Sequence, residues 1–211
     1  MAKRKLPSLS LQKWLKLAGM ESVQWRIAKD PFLSVYPILI QDAAARTRIN
    51  WQDAVTLLHV VYAWMPTMLR TQRFGDYEPN QKARIVKFLK LAQSGQALSV
   101  GQIEILMAFA NNSVVGVSKL LHLLNPRQYP IWDSRVADVY LWARVSRDTF
   151  NRATRYIEYR EQVLEWSADA QARRACNKLR AVYPLLKGVS NTRLIELVMF
   201  RAKEEKPILS K

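Results

Sequence analysis

One cysteine, Cys176, and two histidines, His59 and His122, are the whole supply of thiolate and imidazole metal ligands in a chain of 211 residues. A lone thiol closes no internal disulfide, and it cannot complete a four-ligand zinc shell with two separated histidines. A reducing compartment, no structural metal and no disulfide framework follow. Acidic residues are scarce as well: 17 Asp and Glu face 33 Lys and Arg, a formal net charge of +16. That excess calls for a polyanionic partner or a negatively charged surface, with nucleic acid first in line. Every long apolar run is cut by a charged residue or a proline, so no segment reads as a bilayer span and no membrane partner is expected. Strict apolar-polar alternation, the mark of a half-buried strand, is nearly missing. Internal repeats, low-complexity tracts and domain-separating linkers are missing too.

What is present is a 49% apolar fraction, ample for a sizeable core, with apolar residues recurring at helical spacing. The expected class is all-α, one helical globule of one or two lobes. Asn50 reads as the N-cap of a long helix burying Val55, Leu58, Val61, Tyr62 and Met65. The stretch 73–79 is a connection, and Ile85, Phe88, Leu89 and Ala92 mark a helix stopped by Ser94-Gly95. Ser99 and Gln102 have capping-box spacing ahead of Ile103, Leu106, Met107 and Phe109. The segment 111–116 reads as a turn and 117–124 as a short apolar helix ended by Asn125-Pro126. Asp133 caps a helix carrying Val136, Val139, Tyr140 and Ala143, and further helices are expected over about 148–166, 168–182 and 191–203.

The first twenty residues hold Lys3, Arg4, Lys5, Lys13 and Lys16 and no acid, with Leu9, Leu11, Trp14, Leu15 and Leu17 as a candidate apolar face. A basic tail followed by a docking helix is the ordinary reading of 1–20, and a transit peptide or membrane-surface helix is its alternative. Residues 21–211 then form a single all-helical domain with its hairpin at 111–137.

One lysine sits among leucines in Ser113-Val-Val-Gly-Val-Ser-Lys-Leu-Leu-His-Leu-Leu-Asn-Pro126. Desolvation disfavours the ammonium form, and a neutral lysine is a nucleophile. From Lys119 to Leu124 a helix climbs only about 8 Å, whereas the proline-punctuated stretch 125–132 can span up to about 26 Å. Asp133 can therefore return beside Lys119, its carboxylate held charged by the N-terminus of the next helix.

Gly116-Val-Ser-Lys119 followed by Pro130-Ile-Trp-Asp133-Ser-Arg-Val-Ala137 resembles the catalytic segment of the 8-oxoguanine DNA glycosylases of the helix-hairpin-helix superfamily, particularly the archaeal branch and its bacterial relatives. A second stretch, Asn191 to Arg201, resembles the family's last pocket helix. The resemblance implies a helix-hairpin-helix fold acting on double-stranded DNA with a flipped base, without cofactor or metal and as a monomer. It implies Lys119 as the nucleophile on the sugar C1′ and Asp133 as its partner. Phe200 then stacks on the extruded base and Glu196 reads its edge, a glutamate where the family has a glutamine and so an acceptor-only reader when ionised. Location would be cytoplasmic and DNA-associated.

Trp132 adjoins Asp133 and His122 lies one turn after Lys119, so both are candidates for the pocket, against a plain structural role. Ser113, Gly116 and Ser118 are candidate phosphate contacts, although turn formation and capping explain them nearly as well. Arg127 and Arg135 flank the segment and are candidate DNA-backbone contacts. A second basic region runs from Arg144 to Arg180, interleaved with Tyr156 and Tyr159, while Trp51 and Trp64 read as core. Two other functions stay open at this point: a non-catalytic DNA-binding module, and a base-hypermodification enzyme on the same fold.

Overall fold

The computed structural model describes residues 8–64, 69, 74–142 and 146–203. Among them the chain forms twelve α-helices, two short 3-10 turns (Phe74–Asp76 and Pro184–Leu186) and no strand, as an all-α chain should. The helices are α1 (Leu11–Gly19), α2 (Glu21–Ala28), α3 (Phe32–Ala45), α4 (Trp51–Trp64), α5 (Pro79–Gln93), α6 (Val100–Phe109), α7 (Val114–Leu124), α8 (Ser134–Tyr140), α9 (Arg147–Phe150), α10 (Ala153–Ala168), α11 (Ala170–Val182) and α12 (Asn191–Arg201).

Local chemistry accounts for most boundaries. Asn50 Oδ1 accepts from the Asp53 amide at 2.9 Å while Asp53 Oδ2 accepts from the Asn50 amide at 3.0 Å, a reciprocal start to α4. Ser99 and Gln102 form the expected capping box. Gly95 adopts φ +85°, the left-handed conformation that ends α5 cheaply only at glycine. Met65 and Ala143, expected on buried helix faces, lie outside the described residues.

Two boundaries differ from the sequence reading. The turn expected over 111–116 is shorter, because Ser113 Oγ accepts from the Gly116 amide at 3.1 Å and starts α7 at Val114. The helix expected over 148–166 is broken at Asn151, whose side chain is used elsewhere. Its Oδ1 accepts from the Val114 amide at 2.9 Å and its Nδ2 donates to the Asn112 carbonyl at 2.9 Å. Asn151 thus stitches the α6–α7 turn from outside, and α9 and α10 part around it. In that turn Asn111 and Asn112 take φ of 57° and 53°, a left-handed conformation asparagine tolerates, and α6 and α7 diverge by 102°.

α7 packs against α3, α4, α5, α6 and α10, and α12 packs against α1, α2, α8, α10 and α11. α10 touches both groups, and one apolar core runs through them from Leu9 to Ala202. α1 belongs to it. Trp14 is fully buried and its Nε1 donates to the Ile195 carbonyl at 3.1 Å, with Leu9 and Leu17 buried beside it. The apolar face that suggested a membrane-surface helix is therefore covered by the protein itself. Among the described residues no single helix is long and apolar enough to cross a membrane.

Candidate active site

The connection from α7 to α8 has no regular structure, so its backbone groups need other partners. Side chains supply them for seven consecutive carbonyls. Ser190 Oγ donates to Pro126 at 2.8 Å, Thr192 Oγ1 to Arg127 at 2.8 Å, Arg160 Nε to Gln128 at 2.9 Å and His122 Nδ1 to Tyr129 at 2.6 Å. Tyr156 Oη donates to Pro130 at 3.2 Å and Tyr159 Oη to Ile131 at 3.0 Å. Ser118 Oγ lies 3.1 Å from the Trp132 carbonyl and 2.9 Å from that of Val115, which share its one proton, and accepts from the Trp132 amide at 3.0 Å. The residue before Lys119 is thereby fastened to the residue before Asp133. Asp133 follows with extended backbone, and its Oδ1 caps α8 by accepting from the Val136 amide at 2.9 Å.

Lys119 and Asp133 open onto a common cavity of about 470 Å³, a volume in the range of small-molecule sites. Asp30, Pro31 and Phe32, at the α2–α3 turn, form one side, and Trp64 at the end of α4 another. Arg193, Glu196, Phe200 and Arg201 approach from α12, and Ser134 and Arg135 from the start of α8. The spacing 193, 196, 200 is one helical face. Lys119 Nζ lies 5.5 Å from the centre of the Trp64 ring, and the Arg193 guanidinium carbon lies 5.8 Å from that ring and 5.2 Å from the Tyr36 ring. Phe200 is flanked by the guanidinium carbons of Arg135 at 5.2 Å and Arg201 at 5.0 Å.

Two ion pairs lie within the lining of the cavity. Arg193 Nη1 donates to Glu196 Oε2, both side chains almost wholly buried, and Arg201 bridges to buried Asp30 at 2.6 Å. Burial pushes the Lys119 amine below its ordinary pKa; Asp133 and Glu196 pull it back up, and Arg193 pushes it further down. Burial lifts Glu196 to about 7 despite the opposing pull of Arg193. Among the described residues, the buried side-chain atoms without a hydrogen-bond partner are Trp64 Nε1 and Arg193 Nε, and both residues line this cavity. Unsatisfied donors are rare in interiors and mark places where something else is needed.

Of the residues singled out in the sequence, Lys119, Asp133, Glu196, Phe200 and Arg135 meet here. Trp132 and His122 do not. Trp132 is fully buried against Tyr140 and Tyr159 with its Nε1 donating to the Phe150 carbonyl at 2.9 Å. His122 points away from the cavity: since Nδ1 faces a carbonyl it carries the proton, and Nε2 accepts from Tyr36 Oη at 2.9 Å. Burial holds that ring neutral, with a pKa pushed down to about 3.

The phosphate-contact candidates are also redistributed. Gly116 and Ser118 are buried, and a Cβ at Gly116 would stand 3.0 Å from Tyr62 Oη and 3.3 Å from the Ala110 Cβ, so that glycine serves packing. Ser113 caps α7. Arg127 is exposed but borders a separate depression with Arg180 and Ser190. In the second basic region Arg160 is buried, Arg155 pairs with Glu158, Arg180 holds the Val189 carbonyl, and Tyr156 and Tyr159 are core; Arg144 lies outside the described residues. Arg147, Arg152, Arg173, Arg174 and Lys178 remain exposed.

Asp30, Phe32, Trp64, Arg193 and Arg201 were not singled out as site residues, and Trp64 had been read as core. Only Arg193 carries a local signal, a charge three positions before Glu196 on the face that also carries Phe200. No family model, curated protein or solved structure matches the chain.

Proposed function

We propose that the protein is a DNA base-excision glycosylase with an associated abasic-site lyase activity, working on a damaged or modified base extruded from duplex DNA. The observation that carries this reading is the meeting of a desolvated lysine and a helix-capping aspartate in one cavity that also presents Phe200. Two further features support it. The α6–α7 pair diverges by 102° across a four-residue turn, within the range of helix-turn-helix units, and the net charge of +16 suits a polyanion.

In this mechanism the nucleotide leaves the stack because C1′ is inaccessible within it. The base stacks on Phe200, and neutral Lys119 attacks C1′ as the bond to the base breaks. Asp133 offsets positive charge that develops on the sugar. The C1′–N adduct then loses a proton from nitrogen as its C1′–O4′ bond breaks and O4′ is protonated, and the Schiff base so formed permits β-elimination and strand nicking.

The test is borohydride trapping on duplexes that each carry one oxidised, alkylated or deaminated base, together with a duplex bearing a preformed abasic site. A covalent adduct is expected with the native chain. Lys119→Gln should abolish it and slow base release by at least about a thousandfold, with DNA affinity retained. Salt-sensitive binding with no adduct on any duplex would leave a non-catalytic DNA-binding module instead.

A further inference from the structure

We infer that Glu196 is the proton relay of this cavity, taking the proton Lys119 must lose before attack and handing it to the departing base. This rests on the glycosylase reading above and divides labour between the two carboxylates. Asp133 Oδ1 is engaged by the Val136 amide at 2.9 Å, which fixes Asp133 as a standing negative charge beside the sugar. Glu196 is placed differently. It is 1% exposed, it lines the same cavity as Lys119, and its anchor is the guanidinium of Arg193. Phe200 follows it by four residues, so a base lying on that ring is next to the turn that carries Glu196. One carboxyl group thus shares the cavity with the amine, close enough to act on its charge, and lies beside the turn on which the leaving base would rest.

The step balances with the groups present. Glu196 carboxylate accepts a proton from the Lys119 ammonium, directly or through one water. The freed nitrogen lone pair forms the bond to C1′ while the bond from C1′ to the base nitrogen breaks and its electrons leave with the base. Glu196 then returns its proton to that base. No oxidant, metal or further reactant is needed.

The charged and titratable groups facing Glu196 are Arg193 on its own helix, Asp133 at the start of α8, Lys119 on α7, Tyr159 on α10 and Tyr36 on α3. In water, an amine and a carboxylate of these kinds differ in proton affinity by about a millionfold. Burial narrows that gap from both sides, raising Glu196 to about 7 and lowering Lys119. The carboxyl is thereby suited to accept a proton and release it within one turnover.

The experiment is single-turnover base release against pH, on whichever duplex of the modified-base panel the native chain processes, run beside borohydride trapping on the preformed abasic duplex. The native profile should be bell-shaped, its acid limb near pH 7 set by Glu196. Glu196→Gln should lower base release by about a hundredfold or more and remove that limb, while trapping on the abasic duplex, where no base departs, falls by less than about tenfold. Arg193→Gln keeps the carboxyl but removes the cation that lowers its pKa, so the acid limb should move to higher pH. Since Glu196→Gln leaves a buried guanidinium unpaired, the double variant Arg193→Gln with Glu196→Gln supplies a neutral pair whose folding is checked by thermal unfolding. A well-folded double variant that releases base at the native rate, or a Glu196→Gln variant with weaker DNA affinity but unchanged saturating rate and pH profile, would overturn the relay. Absence of any adduct with the native chain on the abasic duplex would instead overturn the glycosylase reading, and the relay with it.

Discussion

The connection over 126–132 and the cavity beside it treat polar atoms in opposite ways. In the connection seven successive carbonyls each meet a side chain, drawn from α7, α10, α12 and the Ser190 cap. In the cavity a guanidinium nitrogen and an indole nitrogen are buried without partners among the described residues, and an amine and a carboxyl are held away from their ordinary pKa values. A saturated frame is stiff, because each bond removed leaves a buried group unsatisfied. Donors left open in the pocket remain available to a ligand or to water. The two lie one turn apart on the same helix: Lys119 faces the cavity and His122 faces the frame.

Substitutions in the frame should therefore act on stability first. His122→Leu leaves the Tyr129 carbonyl and Tyr36 Oη unpartnered and should cost roughly 2–5 kcal/mol in urea unfolding. It should also remove a pH dependence. Burial pushes the folded ring down to about 3 from the ordinary 6.5, so it binds fewer protons folded than unfolded. Its stabilising contribution is complete above pH 6.5 and declines as pH falls toward 3. By pH 5 the native chain should have lost roughly 2 kcal/mol from this source, and the leucine variant should lack that loss. Equal slopes in both would mean the ring titrates freely.

Ser118→Ala comes next. It strips the Trp132 amide and carbonyl of their partner, which should cost about 1–3 kcal/mol in unfolding and loosen the spacing between Lys119 and Asp133. Base release should fall by about tenfold or more even where the variant is fully folded. A folded variant with native turnover would show that other fastenings position Asp133 well enough. The smallest effect is expected at the cavity mouth. Arg135 is exposed beside Phe200, so Arg135→Ala should leave thermal stability unchanged and reduce the salt dependence of DNA binding by about one unit of log–log slope. An unchanged slope would remove Arg135 from the phosphate footprint.

The helices were legible because their signals are local. Asn50, Ser99, Gly95 and Asp133 act within four residues of themselves, and apolar spacing does the rest. The break between α9 and α10 was not, since Asn151 leaves the helix to bind backbone nearly forty residues away. The site divides along the same line. Lys119 and Asp133 could be paired from one segment, and Glu196 and Phe200 from another, but nothing in either stretch announces Asp30, Phe32 or Trp64 as their neighbours. Those arrive from the first third of the chain through packing of α3 and α4 on α7. His122 and Trp132 misled for the opposite reason. Nearness in sequence places them at the site, while the turn of α7 directs His122, and the irregular connection directs Trp132, into the core.

The docking of α1 carries a practical lesson about the pocket helix. Trp14 grips the carbonyl of Ile195, the residue immediately before Glu196, from the far side of α12. Helix α1 is in effect a brace behind Glu196. Any shortened version that begins beyond Gly19 would strip Leu9, Trp14, Leu17 and Ala18 from the common core and undermine the folding of the whole globule, α12 included.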